Sequence, residues 1–375
     1  MTETAWINGL RGLSSLWVFF IHFLPFVHPL LRPYFLFGQK WNICVPLFFV
    51  LSGRVNAISI LNGKNDKGLI AVNRCMKRGS RLLVPLITIM ILDYSVLHVF
   101  PIKSFTEVFD PIWFLFDGMA VPKNITWVAW TLQIEWHGSI LVYFLGYILS
   151  QTSQQKGHVI LLLSYLWSQL THSWNTHFIF GLWLAFMDHH GTLINLRKST
   201  HFLKFKLVLF VLAVLVSCQF NFINFEYSEY IDRITRSFMF SHGKWLTGTQ
   251  NGHEESFTVF LLTATLVFCV ETTSFLSAVF SIREFQFLGK ISFSLYILHV
   301  YGIYLFGIQS DAFLKLQLPN GSWFAIALSI FFNTSLIVMI SRLFVPVFDW
   351  PAIYIWGRID KSLNLGDSGS SFNQI

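Results

Sequence analysis

Residues 8–31 read NGLRGLSSLWVFFIHFLPFVHPLL. The run is long enough to cross a bilayer as a helix, which takes about 20 residues, yet it carries Arg11 near its start and His22 in its middle. Ionisable groups inside an apolar helix are costly and mark function more often than decoration. Eleven helical steps separate the two residues. They rotate about 1100°, three turns plus about 20°, so both side chains share one face, and they rise about 16 Å. That is roughly half of a ~30 Å hydrocarbon core. Arg11 is therefore expected at a membrane boundary and His22 near the midplane, both on one groove. Snorkelling to the headgroups is an alternative account of Arg11, and a hydrogen bond to a neighbouring helix is one for His22.

The rest of the chain agrees with a membrane reading. Hydrophobic residues make up 54% of the 375 and charged residues only 12%, about half the charged share of a soluble domain. Mean hydropathy is +0.57. The formal charge of +7 lies on no basic stripe of a soluble domain, so it argues for topology rather than nucleic acid. The start, MTETAWING, lacks a basic n-region and a cleavage site, so the first run is expected to be a retained span. Cys44, Cys75, Cys218 and Cys269 show no CxxC spacing, which argues against a disulfide framework or a structural zinc site.

Apolar runs predict an all-α polytopic protein with about ten transmembrane helices. They lie near Gly12–Pro29, Trp41–Leu61, Leu82–Val99, Trp127–Leu149, Val159–Leu170, His177–Met187, Leu207–Phe222, Phe257–Val270, Ile291–Ile308 and Trp323–Ile340. The fifth and sixth are short enough to be a half-buried pair or one broken helix. With the N-terminus cytosolic, 17 of the 26 Lys and Arg residues fall inside and 8 outside, with Arg54 within the second span. The positive-inside rule thus favours both termini in the cytosol. The sequons at Asn124 and Asn320 fall in loops assigned outside.

Three further segments carry candidate chemistry. In TWVAWTLQIEWHGSILVYFLGYIL, Glu135 lies eight residues into the fourth span, about 12 Å deep, near the level of His22. A carboxylate there could orient the imidazole and stabilise its protonated form; an interfacial Glu bound to backbone donors is the plainer account. Its neighbour His137 reads as a packing residue. In VPLFFVLSGRV, Ser52 and Gly53 permit close approach to the backbone, and Arg54 sits in the cytosolic half. In NRCMKRGSRLLVP, Arg74, Arg78 and Arg81 at i, i+4 and i+7 place three guanidiniums on one helical face, with Lys77 beside it. Such a face suits phosphate groups, although anchoring to the cytosolic leaflet predicts the same charges. FLGKISFSLYILHVYG brings His299 to mid-depth in the ninth span, either for chemistry or for an interhelical hydrogen bond.

These blocks, INGLRGLSSLWVFFIHF, VPLFFVLSGRV, NRCMKRGSRLLVPL, WTLQIEWHGSILVY and FLGKISFSLYILHV, resemble in kind and order the membrane acyltransferases of the acyltransferase-3 family. The wording WTLQIEWHGS is more similar to the fungal branch than to the bacterial one, which usually has two adjacent carboxylates where this chain has Glu135 and Trp136. The resemblance implies an acyltransferase-like transmembrane domain over residues 1–343 and a cytosolic tail over 344–375. It implies transfer of an acyl group, commonly acetyl, from acyl-coenzyme A to a hydroxyl of a small molecule such as a fungal terpenoid or polyketide. On it His22 maps onto the family's membrane-embedded His and Arg11 onto its partner. His22 would be the general base, with Glu135 supporting it and His299 a possible accessory. Arg74, Arg78, Arg81, Arg54 and Ser52 would bind the donor. No cofactor or metal is implied beyond the co-substrate; the partners expected are acyl-coenzyme A, a hydroxylated acceptor and the bilayer. Residence in the endoplasmic reticulum is the expected location, and Glu226–Ser256 a candidate lid. The rival reading is a small-molecule transporter using Arg11, His22 and Glu135 as a polar pathway, against which stands the lack of an internal repeat.

Overall fold

A computed structural model of the protein describes residues 4–27, 43–63, 67–117, 127–171, 173–198, 257–310 and 323–363, with single positions at 204, 206, 208, 211 and 312. Among the described residues every regular element is helical. The long helices are α1 (Ala5–Val27), α2 (Cys44–Leu61), α3 (Lys67–Leu92), α5 (Trp130–Leu149), α6 (Gln154–Leu170), α7 (Asn175–His189), α9 (Phe257–Thr272), α11 (Arg283–Gly302) and α12 (Trp323–Leu363). Short helices α4 (Asp110–Asp117), α8 (Thr192–Lys198) and α10 (Ser274–Phe280) lie between them. A bilayer cannot satisfy exposed backbone polar groups, so an apolar chain of this composition closes its hydrogen bonds within helices.

Two helix pairs form the frame, and glycines set both. Without an aqueous hydrophobic drive between helices, close van der Waals packing has to hold them, and small residues permit it. A Cβ on Gly12 of α1 would lie 2.6 Å from the Leu288 carbonyl carbon of α11, and one on Gly289 would lie 2.7 Å from that of Asn8. A Cβ on Gly53 of α2 would lie 2.9 Å from Phe178 Cα of α7, and one on Gly181 of α7 2.7 Å from Arg54 N. Contacts along α1 and α11 advance together, from Gly12 against Gly289 to His22 against His299. Both pairs are 277 residues apart, so the helices run parallel and in register. A parallel run requires an odd number of crossings between them.

Among the described residues, five helical segments are long and apolar enough to cross a membrane: Ala5–Pro25, Cys44–Leu61, Lys67–Leu97, Arg283–Ser310 and Trp323–Val347. A sixth results if the pair Val259–Thr272 and Ser274–Phe280, bent by 100°, counts as one broken span. Ten were expected from the sequence over the whole chain. The expected fourth span forms α5, but Gln133, Glu135, His137 and Ser139 dilute its hydropathy. The fifth and sixth form α6 and α7, of only 17 and 15 residues. The seventh, Leu207–Phe222, falls almost entirely outside the described residues, as do both sequons and Glu226–Ser256. The third span starts earlier than expected, so the arginine face and the apolar run belong to one helix, α3. α12 runs on past residue 344 to Leu363, and its Trp356 Nε1 donates to Asn73 Oδ1 of α3 at 2.7 Å.

Sharp features interrupt the helices at two ends. α3 ends in a π-helical turn, Asp93–Leu97, and His98 adopts φ 52°. The buried Asp93 carboxylate accepts the Val99 and Phe100 amides at 2.8 and 3.1 Å, so the chain reverses without orphaned donors. At the α9–α10 bend, Arg197 Nε donates to the Glu271 carbonyl at 3.0 Å and Lys206 Nζ to that of Thr272 at 2.8 Å. Cations thereby satisfy the carbonyls that the helix end leaves open.

Candidate active site

α1, α11 and α5 bring the candidate groups together. The in-register packing of α1 on α11 places His22 Nδ1 3.0 Å from His299 Nε2, with the two rings stacked at 5.1 Å between centroids and 14° between planes. His299 is fully buried and His22 partly so. His299 Nδ1 lies 2.6 Å from the Tyr296 carbonyl oxygen. A carbonyl only accepts, so Nδ1 of His299 carries a proton. In the neutral ring Nε2 is then an acceptor, which requires His22 to donate from Nδ1. The lone pair of a neutral His22 is thereby assigned to Nε2. One backbone carbonyl thus fixes the tautomers of two imidazoles in series.

A cavity of about 660 Å³, its open mouth included, lies between α1, α2, α3, α5 and α11 and meets the pair through Tyr296, neither histidine lining it. Arg11, Arg78 and Arg81 line it together with Glu135, Ser292 and Tyr296, over an apolar floor of Phe48, Phe49, Leu82 and Leu132. Three guanidiniums against one carboxylate give it a net positive lining over an apolar floor. Tyr296 forms the wall toward the histidines, its ring centroid 5.7 Å from that of His299. Its hydroxyl lies 2.7 Å from Thr131 Oγ1 and donates to the Val128 carbonyl at 2.9 Å.

The sequence-derived candidates divide into two groups. Arg11, Arg78, Arg81 and Glu135 meet at the cavity. Ser52 joins them, because Arg78 Nη2 donates to its Oγ at 3.2 Å. Arg74 shares the face of α3 one turn before Arg78. Glu135, expected to orient His22, instead forms an ion pair with Arg78, and the ring hydrogen-bonded to His22 belongs to His299. His137 is exposed.

Arg54 stands apart from the cavity. It is buried and pairs with Asp188 at 2.6 Å and Glu271 at 3.1 Å, and Arg197 also reaches Glu271 at 3.0 Å. These four groups tie α2, α7, α8 and α9 together at the bend. A buried guanidinium held by two carboxylates is a structural clamp; removing one partner would leave an uncompensated charge. The pairing of Arg78 with Glu135 and the roles of Tyr296 and Thr131 were not read from the sequence. Tyr296 stands three residues before His299, one helical turn, and that spacing is the one signal that could have found it.

A family model described as an acyltransferase domain matches residues 4–342, nearly the whole chain. No curated protein and no solved structure matches it.

Proposed function

The chain belongs to the acyltransferase-3 family, and from that premise we propose that it is a membrane-embedded O-acyltransferase that moves an acyl group from acyl-coenzyme A to a hydroxyl of a small molecule. Its apolar helices make it an integral membrane protein. The observation that carries the reading is the histidine pair beside a cavity lined by three arginines.

In the proposed reaction the phosphates of the coenzyme lie against Arg78 and Arg81, where planar guanidiniums suit them, and the pantetheine arm runs inward. Arg11 holds the donor rather than the reacting carbonyl. The ~16 Å helical rise from Arg11 to His22 exceeds the reach of its side chain. Neutral His22 takes the acceptor's hydroxyl proton on Nε2 as general base. The oxygen attacks the thioester carbonyl, the C–O bond forms, and the C–S bond breaks as the tetrahedral intermediate collapses. The proton on His22 passes to the departing thiolate. His299 is a positioning residue: it holds His22 in the tautomer that leaves Nε2 the base. Ester formation and thioester cleavage balance with no oxidant or metal in the scheme.

Acetyl is the simplest donor in keeping with the family. The likeness of WTLQIEWHGS to fungal members supports a hydroxylated secondary metabolite, such as a terpenoid or polyketide, as acceptor. The 17-to-8 charge distribution supports ten crossings with both termini cytosolic; the endoplasmic reticulum is the location we propose. The test is release of coenzyme A by microsomes carrying the protein, against a panel of hydroxylated acceptors. Acceptor-dependent release with the matching mass increase supports transfer. Acceptor movement across the membrane without a change of mass would overturn it in favour of transport.

A further inference from the structure

Polar side chains buried among apolar helices are costly unless each finds a partner, and α2 carries two of them on one turn. Ser52 and Asn56 stand four residues apart on α2, and Glu135 and Ser139 four apart on α5, so each pair shares one helix face. Asn56 Nδ2 donates to Ser52 Oγ at 3.2 Å and to Ser139 Oγ at 3.1 Å. Ser139 Oγ donates to the Glu135 carbonyl at 2.6 Å. Arg78 Nη2 donates to Ser52 Oγ at 3.2 Å and to the Glu135 carboxylate. These five residues close a hydrogen-bonded ring across α2, α3 and α5. Asn56 bridges the helices on one side of it and Arg78 on the other. Asn56 is buried and does not line the cavity, and the proposed mechanism gives it no part.

We infer that Asn56 is a positioning residue of the donor site, which sets the Arg78 guanidinium through Ser52. This rests on the donor half of the transfer reading above, in which Arg78 holds a phosphate of the coenzyme. The directions of the bonds lead to it. A serine hydroxyl has one proton, and that of Ser139 goes to the Glu135 carbonyl, so toward Asn56 it only accepts. The atom of Asn56 that meets it is therefore the amide nitrogen, which fixes the orientation of the side chain. The same nitrogen meets Ser52, whose Oγ accepts from Asn56 and from Arg78 together. Both ring bonds of the guanidinium leave from Nη2; Nη1 takes no part in the ring, while Arg78 lines the cavity. An incoming phosphate repels the Glu135 carboxylate and competes with it for Arg78. It does not repel the neutral hydroxyl of Ser52, so that contact keeps the guanidinium in place while the charge partner is exchanged. Ordering the arginine before the donor arrives removes that ordering cost from binding. If the ring only tied α2 to α5, its loss would lower stability and leave donor affinity alone.

The test reads donor affinity and stability on the same samples. A non-hydrolysable acetyl-coenzyme A thioether is titrated by calorimetry into the purified full-length protein in lipid nanodiscs, and thermal unfolding is recorded beside it. Asn56→Leu keeps the volume and Asn56→Ala empties it, so one of them carries the comparison if the other does not fold. Each should weaken thioether binding about 2- to 12-fold, the span of a single hydrogen bond. Ser52→Ala should do the same, and the double variant with Asn56→Leu should lose no more than the larger single loss, because both act through one contact on Arg78. With Arg78→Ala already in place, Asn56→Leu should change affinity by less than about twofold. Native affinity in the folded Asn56 variants would overturn the inference and leave Asn56 as a tie between α2 and α5. So would a loss that persists in full without Arg78, or a native chain that does not bind the thioether. A native chain that binds the thioether with this dependence on Asn56, yet releases no coenzyme A from acetyl-coenzyme A with any acceptor, would overturn the transfer reading and leave the role of Asn56 standing.

Discussion

Replacing His299 with Ala separates the orientation of the proposed base from donor binding. The substitution removes the acceptor 3.0 Å from His22 Nδ1 and leaves every residue of the cationic cavity in place. A buried donor left without its acceptor costs about 1–3 kcal/mol. At about 1.4 kcal/mol per factor of ten in rate, turnover should fall roughly 5- to 150-fold, with little change in KM for acyl-coenzyme A. His22→Ala should cost more, about 100-fold or beyond, because it deletes the base itself. The double variant should be no slower than His22→Ala alone, since His299 acts only through His22 and groups that act as a unit are not additive. His299→Gln should recover part of the loss, because a side-chain amide oxygen can accept from Nδ1–H. The assay is coenzyme A release by purified protein in nanodiscs at saturating donor and acceptor, with thermal unfolding measured on the same samples. Additive losses in the double variant, or native turnover in a folded His299→Ala protein, would refute the tautomer relay.

Other outcomes follow from the same geometry. Arg81→Ala should raise KM for acyl-coenzyme A more than KM for the acceptor, because Arg81 lines the cavity; equal changes in both would return it to leaflet anchoring. Arg78→Ala should show the same KM asymmetry together with a lower unfolding temperature, since it strands Glu135, and Glu135→Gln should restore part of the stability in the double variant. Arg54→Met should cost up to about 3–5 kcal/mol of stability, because it leaves Asp188 without this guanidinium and Glu271 with Arg197 alone, with the KM of the surviving fraction unchanged. Gly12→Ala should destabilise by about 1–3 kcal/mol through overpacking and lower turnover although Gly12 does not line the cavity; native turnover in that variant would separate the α1–α11 packing from the site.

The sequence was most legible where a helix carries its own periodicity. The spacing of Arg11 and His22, and of Arg74, Arg78 and Arg81, follows from 3.6 residues per turn and needs no partner helix. Pairings between helices were not legible in this way, because they depend on which faces meet. Depth alone made Glu135 a plausible neighbour of His22, yet depth is shared by every helix of a bundle. Rotation about the α5 axis gives Glu135 to Arg78, and the register of α1 on α11 gives His22 to His299. The partners of Arg54 were not legible for a related reason: its carboxylates lie 134 and 217 residues away in sequence, and no local pattern announces a clamp. Span length was less legible than apolar composition: α6 and α7 are apolar but only 17 and 15 residues long.

The parallel run of α1 and α11 has a mechanical consequence. Helices in a bilayer whose thickness does not match their apolar length respond by tilting. Two antiparallel or unlocked helices can tilt apart or slide, and a hydrogen bond between their midpoints would stretch as the lipid composition changed. α1 and α11 run the same way and are pinned by backbone contact at Gly12 and Gly289, ten residues before the imidazoles. A thicker or thinner membrane therefore swings them as one rod. The distance between His22 and His299 is insulated from the host bilayer, and adaptation to it falls on the helices that are not pinned to this pair.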